Sequence, residues 1–122
     1  MMENRSMKHK VVLVPFPFDD LSSTKVRPAV CLTEPIGEYK HVVLAFITSR
    51  VPDALLPTDM IFDEADKEFS TTGLRVSSTL QLHRMMTVTI NLIVRELGHL
   101  PMPAQTEVEQ KLKLLFGIRH SP

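Results

Sequence analysis

The chain has 122 residues, 43% of them apolar and 23% charged, and its 14 basic residues balance 14 acidic ones. That length suits one compact core, and that composition excludes wholesale disorder. A net charge of zero excludes a globally basic nucleic-acid binder, so any polyanion partner must be held by a local patch.

Residues 1–6 read as a flexible polar tail ahead of a single domain spanning 7–122. The segment "HKVVLVPF" then predicts a valine-rich strand, with Pro15 and Pro17 confining its far end to an edge or an irregular stretch. "DDLSSTK" is dense in turn formers and reads as a loop. "RPAVCLTE" is short, apolar and bounded by turn signals, as a buried strand should be. "PIGEYK" supplies a turn, and "HVVLAFITS" predicts the third strand.

Two prolines break "RVPDALLPTD", and "MIFDEAD" follows as a short strand or extended piece. "KEFSTTGL" turns the chain again. "RVSSTLQLHRM" alternates as a strand would, with Val76, Leu80 and Leu82 as candidates for its inward face. "VTINLIVREL" fits both a strand and the start of a helix, and Gly98 is expected to close it. From Ala104 to Phe116, Val108, Leu112 and Leu115 fall on one helical stripe. Pro103 suits the first turn of that helix and Gly117 the residue after its last. Glu107 and Glu109 early, with Lys111 and Lys113 later, would complement the helix dipole. Short strands followed by one terminal helix indicate a mainly β protein built as a small barrel.

Several chemistries find no support. The one cysteine, Cys31, sits in apolar "PAVCLT" and reads as a buried small hydrophobe, so disulfides within the chain are excluded. The five histidines include no HxxxH or HxH pair, "DEADKE" lacks calcium-loop spacing, and four glycines make no phosphate loop. No metal or other cofactor is expected. No apolar run approaches the roughly 20 residues that span a bilayer, and a cytoplasmic protein with no membrane partner is expected. Met85 and Met86 read as core or interface filling.

Two features could carry chemistry. Arg27 opens the second strand hard against Pro28, and its guanidinium offers five donors in a rigid fork. By itself, a rim charge or an ion pair with Asp19 or Asp20 is the simpler reading. Thr48 and Ser49 lie at the end of the third strand, where barrels place their loops and sites. Threonine is also a common strand residue. Adjacent strands of a meander could bring these rim positions together, and an arginine fork beside a hydroxyl can bind phosphate.

With those residues in place, "VVLVPFPFDDLSSTKVRPAV", "VVLAFITS" and "GLRVSSTLQL…TINLIVRELGHL" resemble the MazF/PemK family of toxin-antitoxin toxins over about Met7 to Gly117. The resemblance implies an SH3-like small β-barrel with a C-terminal α-helix, usually a homodimer. It implies a metal-independent endoribonuclease that cuts single-stranded RNA at short sequences and is blocked by a cognate antitoxin. The family's catalytic arginine maps onto Arg27 and its catalytic threonine onto Thr48. Lys25, Ser49, Arg50, Gln81 and Arg84 are then the candidate RNA-binding residues, with His83 and His41 as possible proton acceptors.

Two departures stand out. Members commonly open the first strand with Gly-Asp, where this chain has His9-Lys10. Many carry an Arg-Leu-Asp-Lys run late in the barrel, where this chain reads Gln81-Leu82-His83-Arg84. Gln81 and the neutral charge keep a second reading open: a non-catalytic binding protein on the same barrel, such as a gyrase-type inhibitor.

Overall fold

Valine-rich strands send successive side chains to opposite faces of a sheet, and in this chain both faces are buried. The computed structural model describes residues 6–16 and 25–119. Residues 1–5 of the expected tail, and all of the "DDLSSTK" loop but Lys25, lie outside the described residues. Six strands form one antiparallel sheet curled as a half-barrel: β1 (Lys10–Pro15), β2 (Val26–Cys31), β3 (His41–Thr48), β4 (Asp59–Phe62), β5 (Ser78–Thr89) and β6 (Arg95–His99). Their order across the sheet is β4-β5-β3-β2-β1-β6, and the helix α1 (Met102–Phe116) follows.

Alternation sorts the apolar side chains into two cores. Val11, Val30, Ala45, Ile47, Leu80 and Leu82 share one face, which α1 covers with Val108 and the partly buried Leu112 and Leu115. Val12, Val14, Ala29, Cys31, Val42, Leu44 and Phe46 share the other, with Phe16, Met86 and Ile93 packed against them. This explains why "VVLV" and "VVLAFI" read as unbroken apolar runs. Met85 packs on the first core and Met86 on the second, so neighbouring methionines fill both.

Four local expectations change. Val76 is 46% exposed because β5 begins only at Ser78, whereas Leu80 and Leu82 are fully buried as expected. "VTINLIVREL" is neither a strand nor a helix throughout: it ends β5, makes a 3-10 turn at Ile90–Leu92 and enters β6 at Arg95. The helix starts at Met102, so Glu107 and Glu109 lie beyond its first turn and only Lys113 complements the dipole. Gly117 ends it in the left-handed conformation, at φ 67°.

Gly98 does not close its segment but lies inside β6, and the reason is steric. A Cβ there would sit 2.2 Å from the Thr71 carbonyl oxygen, while one on Gly73 would sit 2.1 Å from that of Leu97. Two glycines thus let the 3-10 turn Phe69–Thr72 lie backbone to backbone on the edge strand. Among the described residues no helix is long and apolar enough to cross a membrane.

The N-terminal end of the sheet is pinned by charge. The Ser6 hydroxyl and the Met7 N–H donate to the Glu34 carboxylate at 2.5 and 2.8 Å. Lys8 pairs with Glu109 of α1 at 3.0 Å, and Lys10 with Glu96 of β6 at 3.0 Å. His9 takes φ 76° between them, a left-handed conformation that favours glycine.

Replacing Gly98 by alanine should cost about 3 kcal/mol, because the new methyl meets backbone that cannot move aside. Urea unfolding with an unchanged midpoint would contradict this. Acid should weaken the fold in two steps. Burial, then Lys8, lowers the His9 pKa from 6.5, so below that value the unfolded chain takes up a proton that the folded one resists. The Ser6 hydroxyl and the Met7 N–H lower Glu34 from 4.5, and Lys8 lowers Glu109, so their stabilisation is lost below that value. A thermal midpoint that rose between pH 6.5 and pH 4.5 would contradict the first step, and one that rose as the pH fell below 4.5 would contradict the second.

Candidate active site

Strand pairing carries the key geometry. β2 and β3 run antiparallel with Ala29 opposite Phe46 and Cys31 opposite Leu44. Extending that register by two residues brings Arg27 opposite Thr48. Arg27 shares the face of Ala29 and Cys31, so its side chain emerges where the second core ends. Pro28, directly after it, favours the extended backbone that β2 needs at Arg27.

β5 completes the site through a break in register. Ala45 pairs with Met85, but Ile47 pairs with Leu80, so two steps along β3 match five along β5. The extra residues, Gln81 to Arg84, arch away from β3 beside Phe46. A bulge of this kind re-aims side chains, and here it turns Gln81 and Arg84 towards Arg27.

The result is an open cavity of about 460 Å³ lined by Arg27, Thr48, Ser49, Arg50, Gln81 and Arg84 over an apolar base of Phe16, Val26, Pro28, Phe46 and Ile47. Six of the seven catalytic and RNA-binding candidates therefore meet in one place. Lys25 is exposed and does not line it. Three guanidiniums and no described carboxylate make the cavity positive, although the whole chain is neutral. A suggested ion pair of Arg27 with Asp19 or Asp20 lies outside the described residues.

Hydrogen bonds set the hydroxyl. The Arg50 N–H donates to Thr48 Oγ1 at 3.3 Å, and the Thr79 hydroxyl donates to the Arg50 carbonyl at 2.8 Å. The turn after β3 is thus held by threonines on two strands, and Thr48 keeps its own proton for another acceptor.

The histidines divide. His41 opens β3 opposite Thr89, beside Tyr39, and lies roughly 23 Å along the strand from Thr48. It is too far to serve Thr48 within one chain. His83 is exposed and lines a second cavity of about 400 Å³ with Phe46, Arg84 and Met85, which adjoins the first through Phe46 and Arg84. Cys31 takes no part: burial pushes its thiol up to about 11. No group of His, Cys, Asp or Glu among the described residues is placed to hold a metal ion.

Sequence reasoning missed Phe16 and Phe46. Phe16 lies with its ring centroid 5.4 Å from the Arg27 guanidinium carbon and 5.5 Å from that of Arg84, and its ring meets Phe46 edge-on at 5.0 Å. The signal for Phe16 was an aromatic side chain set between Pro15 and Pro17, at the irregular end of the first strand.

The sequence model of the PemK-like, MazF-like toxins of type II toxin-antitoxin systems matches residues 8–116. The chain belongs to this family. Its toxins are known as endoribonucleases. Among solved structures, it is similar to the Mycobacterium tuberculosis toxin MazF-mt6, with a TM-score of 0.70 and 18% identity over 91% of this chain and 99% of that one. It is similar to MazF from Deinococcus radiodurans, with a TM-score of 0.65 and 17% identity over 95% of this chain and 100% of that one. A third match is an endoribonuclease in complex with its cognate antitoxin from a mycobacterial species, with a TM-score of 0.68 and 11% identity over 96% of this chain and 100% of that one. No curated protein sequence matches. The likeness to these structures confirms the SH3-like barrel fold with its C-terminal helix.

Proposed function

We propose that this chain is a sequence-specific endoribonuclease acting on single-stranded RNA, and the growth-inhibiting member of a toxin-antitoxin pair. One observation carries the reading: Arg27 and Thr48 line one positive cavity, at facing ends of neighbouring strands.

RNA brings its own nucleophile, the 2′-hydroxyl beside each phosphodiester, so the protein must position the phosphate and stabilise charge. The 2′-hydroxyl gives up its proton to solvent as its oxygen attacks phosphorus, the bond to the 5′-oxygen breaks as that oxygen takes up a proton from solvent, and a 2′,3′-cyclic phosphate and a free 5′-hydroxyl result. Arg27 presents its fork to the non-bridging oxygens, where negative charge builds in the pentacoordinate transition state. Thr48 accepts from the Arg50 N–H and donates its own hydroxyl proton to one of those oxygens. Arg50 and Arg84 hold flanking phosphates, and Ser49 and Gln81 offer neutral donors and acceptors that read base edges. No described carboxylate lines the cavity, so base recognition here falls to neutral groups and cations. Arg27 does not take the 2′-proton, because a guanidinium already carries all its protons and offers no acceptor.

No metal or organic cofactor is needed in this scheme. The partners that follow from the family are single-stranded RNA, a cognate antitoxin and a second copy of the chain, acting in the cytoplasm.

Purified protein incubated with a long RNA in EDTA should release fragments bearing 2′,3′-cyclic phosphate and 5′-hydroxyl ends. Arg27→Ala should slow this by about 100- to 1,000-fold, the scale of losing one preorganised donor to the transition state. Intact RNA with folded, antitoxin-free protein would favour the non-cutting reading of the same barrel. An Arg27→Ala variant cutting at the wild-type rate would refute the assigned mechanism.

A further inference from the structure

The scheme above leaves Phe16 without a task, yet two of the cavity's three guanidiniums meet at its ring. Two guanidiniums repel one another, and the Arg27 fork also donates to the Val26 carbonyl at 3.3 Å. Here both Arg27 and Arg84 stand within cation–π range of one ring, at 5.4 and 5.5 Å from its centroid. The ring itself is held firmly. Its edge-on contact with Phe46, at 5.0 Å and 85°, fixes its tilt against the second core. The Phe16 backbone N–H donates to the Lys25 carbonyl at 3.0 Å, tying the end of β1 to the residue before β2. Two arginines from different strands, β2 and the arch in β5, thus lean on one anchored aromatic surface.

We infer that Phe16 is a positioning residue: its π-face holds the Arg27 and Arg84 guanidiniums so that both address the same stretch of phosphodiester backbone. The inference rests on the endoribonuclease reading and deepens it. The ring donates no proton and forms no bond to RNA in this role. It lowers the cost of keeping two like charges close before an anion arrives, which is preorganisation in the electrostatic sense. Arg84 suits this contact, because a planar guanidinium lies on an aromatic face better than an ammonium does.

The test compares Phe16→Leu and Phe16→Tyr with the wild type. Leucine keeps an apolar side chain against Phe46 but removes the π-face, whereas tyrosine retains it. Thermal unfolding of each variant establishes that it is folded. In cleavage of a short fluorogenic RNA, Phe16→Leu should lose about tenfold in kcat with KM within about twofold, and Phe16→Tyr should return to near the wild-type kcat. In 1H–15N spectra of the RNA-free protein, the Arg27 and Arg84 Nε–Hε signals should lose their ring-current shifts in Phe16→Leu and keep them in Phe16→Tyr. Unmoved arginine signals in Phe16→Leu would overturn the inference. So would a loss confined to KM, which would assign the ring to RNA contact, or an equal loss in both variants. A wild-type protein that cuts no RNA would instead defeat the enzymatic reading. The arginine signals would then still decide whether Phe16 holds both side chains.

Discussion

The antiparallel register of β2 against β3 is the constraint on which the candidate site depends. With Ala29 set against Phe46, Arg27 and Thr48 arrive at facing positions without any loop having to place them. A slip of one residue would turn Arg27 towards the α1 face and bury a guanidinium among Leu80, Leu82 and Val108. Both faces of β2 and β3 are packed, so such a slip would misplace Ala29, Val30 and Cys31 as well. The two apolar cores therefore hold the site's geometry as firmly as they hold the fold.

β5 uses the opposite device. Where β2 and β3 keep register, β5 abandons it between Leu80 and Met85, and the freed arch carries Gln81, His83 and Arg84. The regular pairing positions Arg27 and Thr48, and the irregular stretch supplies side chains outside the β3 ladder. The departures of this chain from its relatives fall partly on this arch. They leave Leu82, fully buried in the first core, in place. Charge follows the same division of labour. A neutral chain concentrates three guanidiniums at one cavity, while Asp63, Asp66, Glu68 and Glu107 line a separate one beside α1.

Much of this was legible in the residues because it follows from local rules. Unbroken apolar runs gave buried strands, and Pro103, Val108, Leu112 and Gly117 delimited the helix to within two residues of its start. Arg27 and Thr48 were legible as strand-end residues, and their order allowed them to meet. The rest depends on partners distant in sequence. Gly98 reads as a terminator until the backbone of Thr71 and Thr72 is laid across it. Val76 continues an alternation whose strand has not yet begun. His9 shows only as a departure from Gly-Asp, and its φ of 76° accounts for why glycine is at home there. Phe16 had no visible task because the two arginines it meets are 11 and 68 residues further along the chain.

The central claim is that RNA is gripped, phosphate first, between Arg27 and Thr48. The most direct measurement is a crystal structure with a short RNA spanning a mapped cleavage site, carrying 2′-deoxy at the attacking nucleotide so that it cannot be cut. The account predicts the scissile phosphate within hydrogen-bond distance of both the Arg27 guanidinium and the Thr48 hydroxyl, with Arg84 on a neighbouring phosphate. RNA bound across the α1 face, or a scissile phosphate out of reach of Arg27, would contradict it.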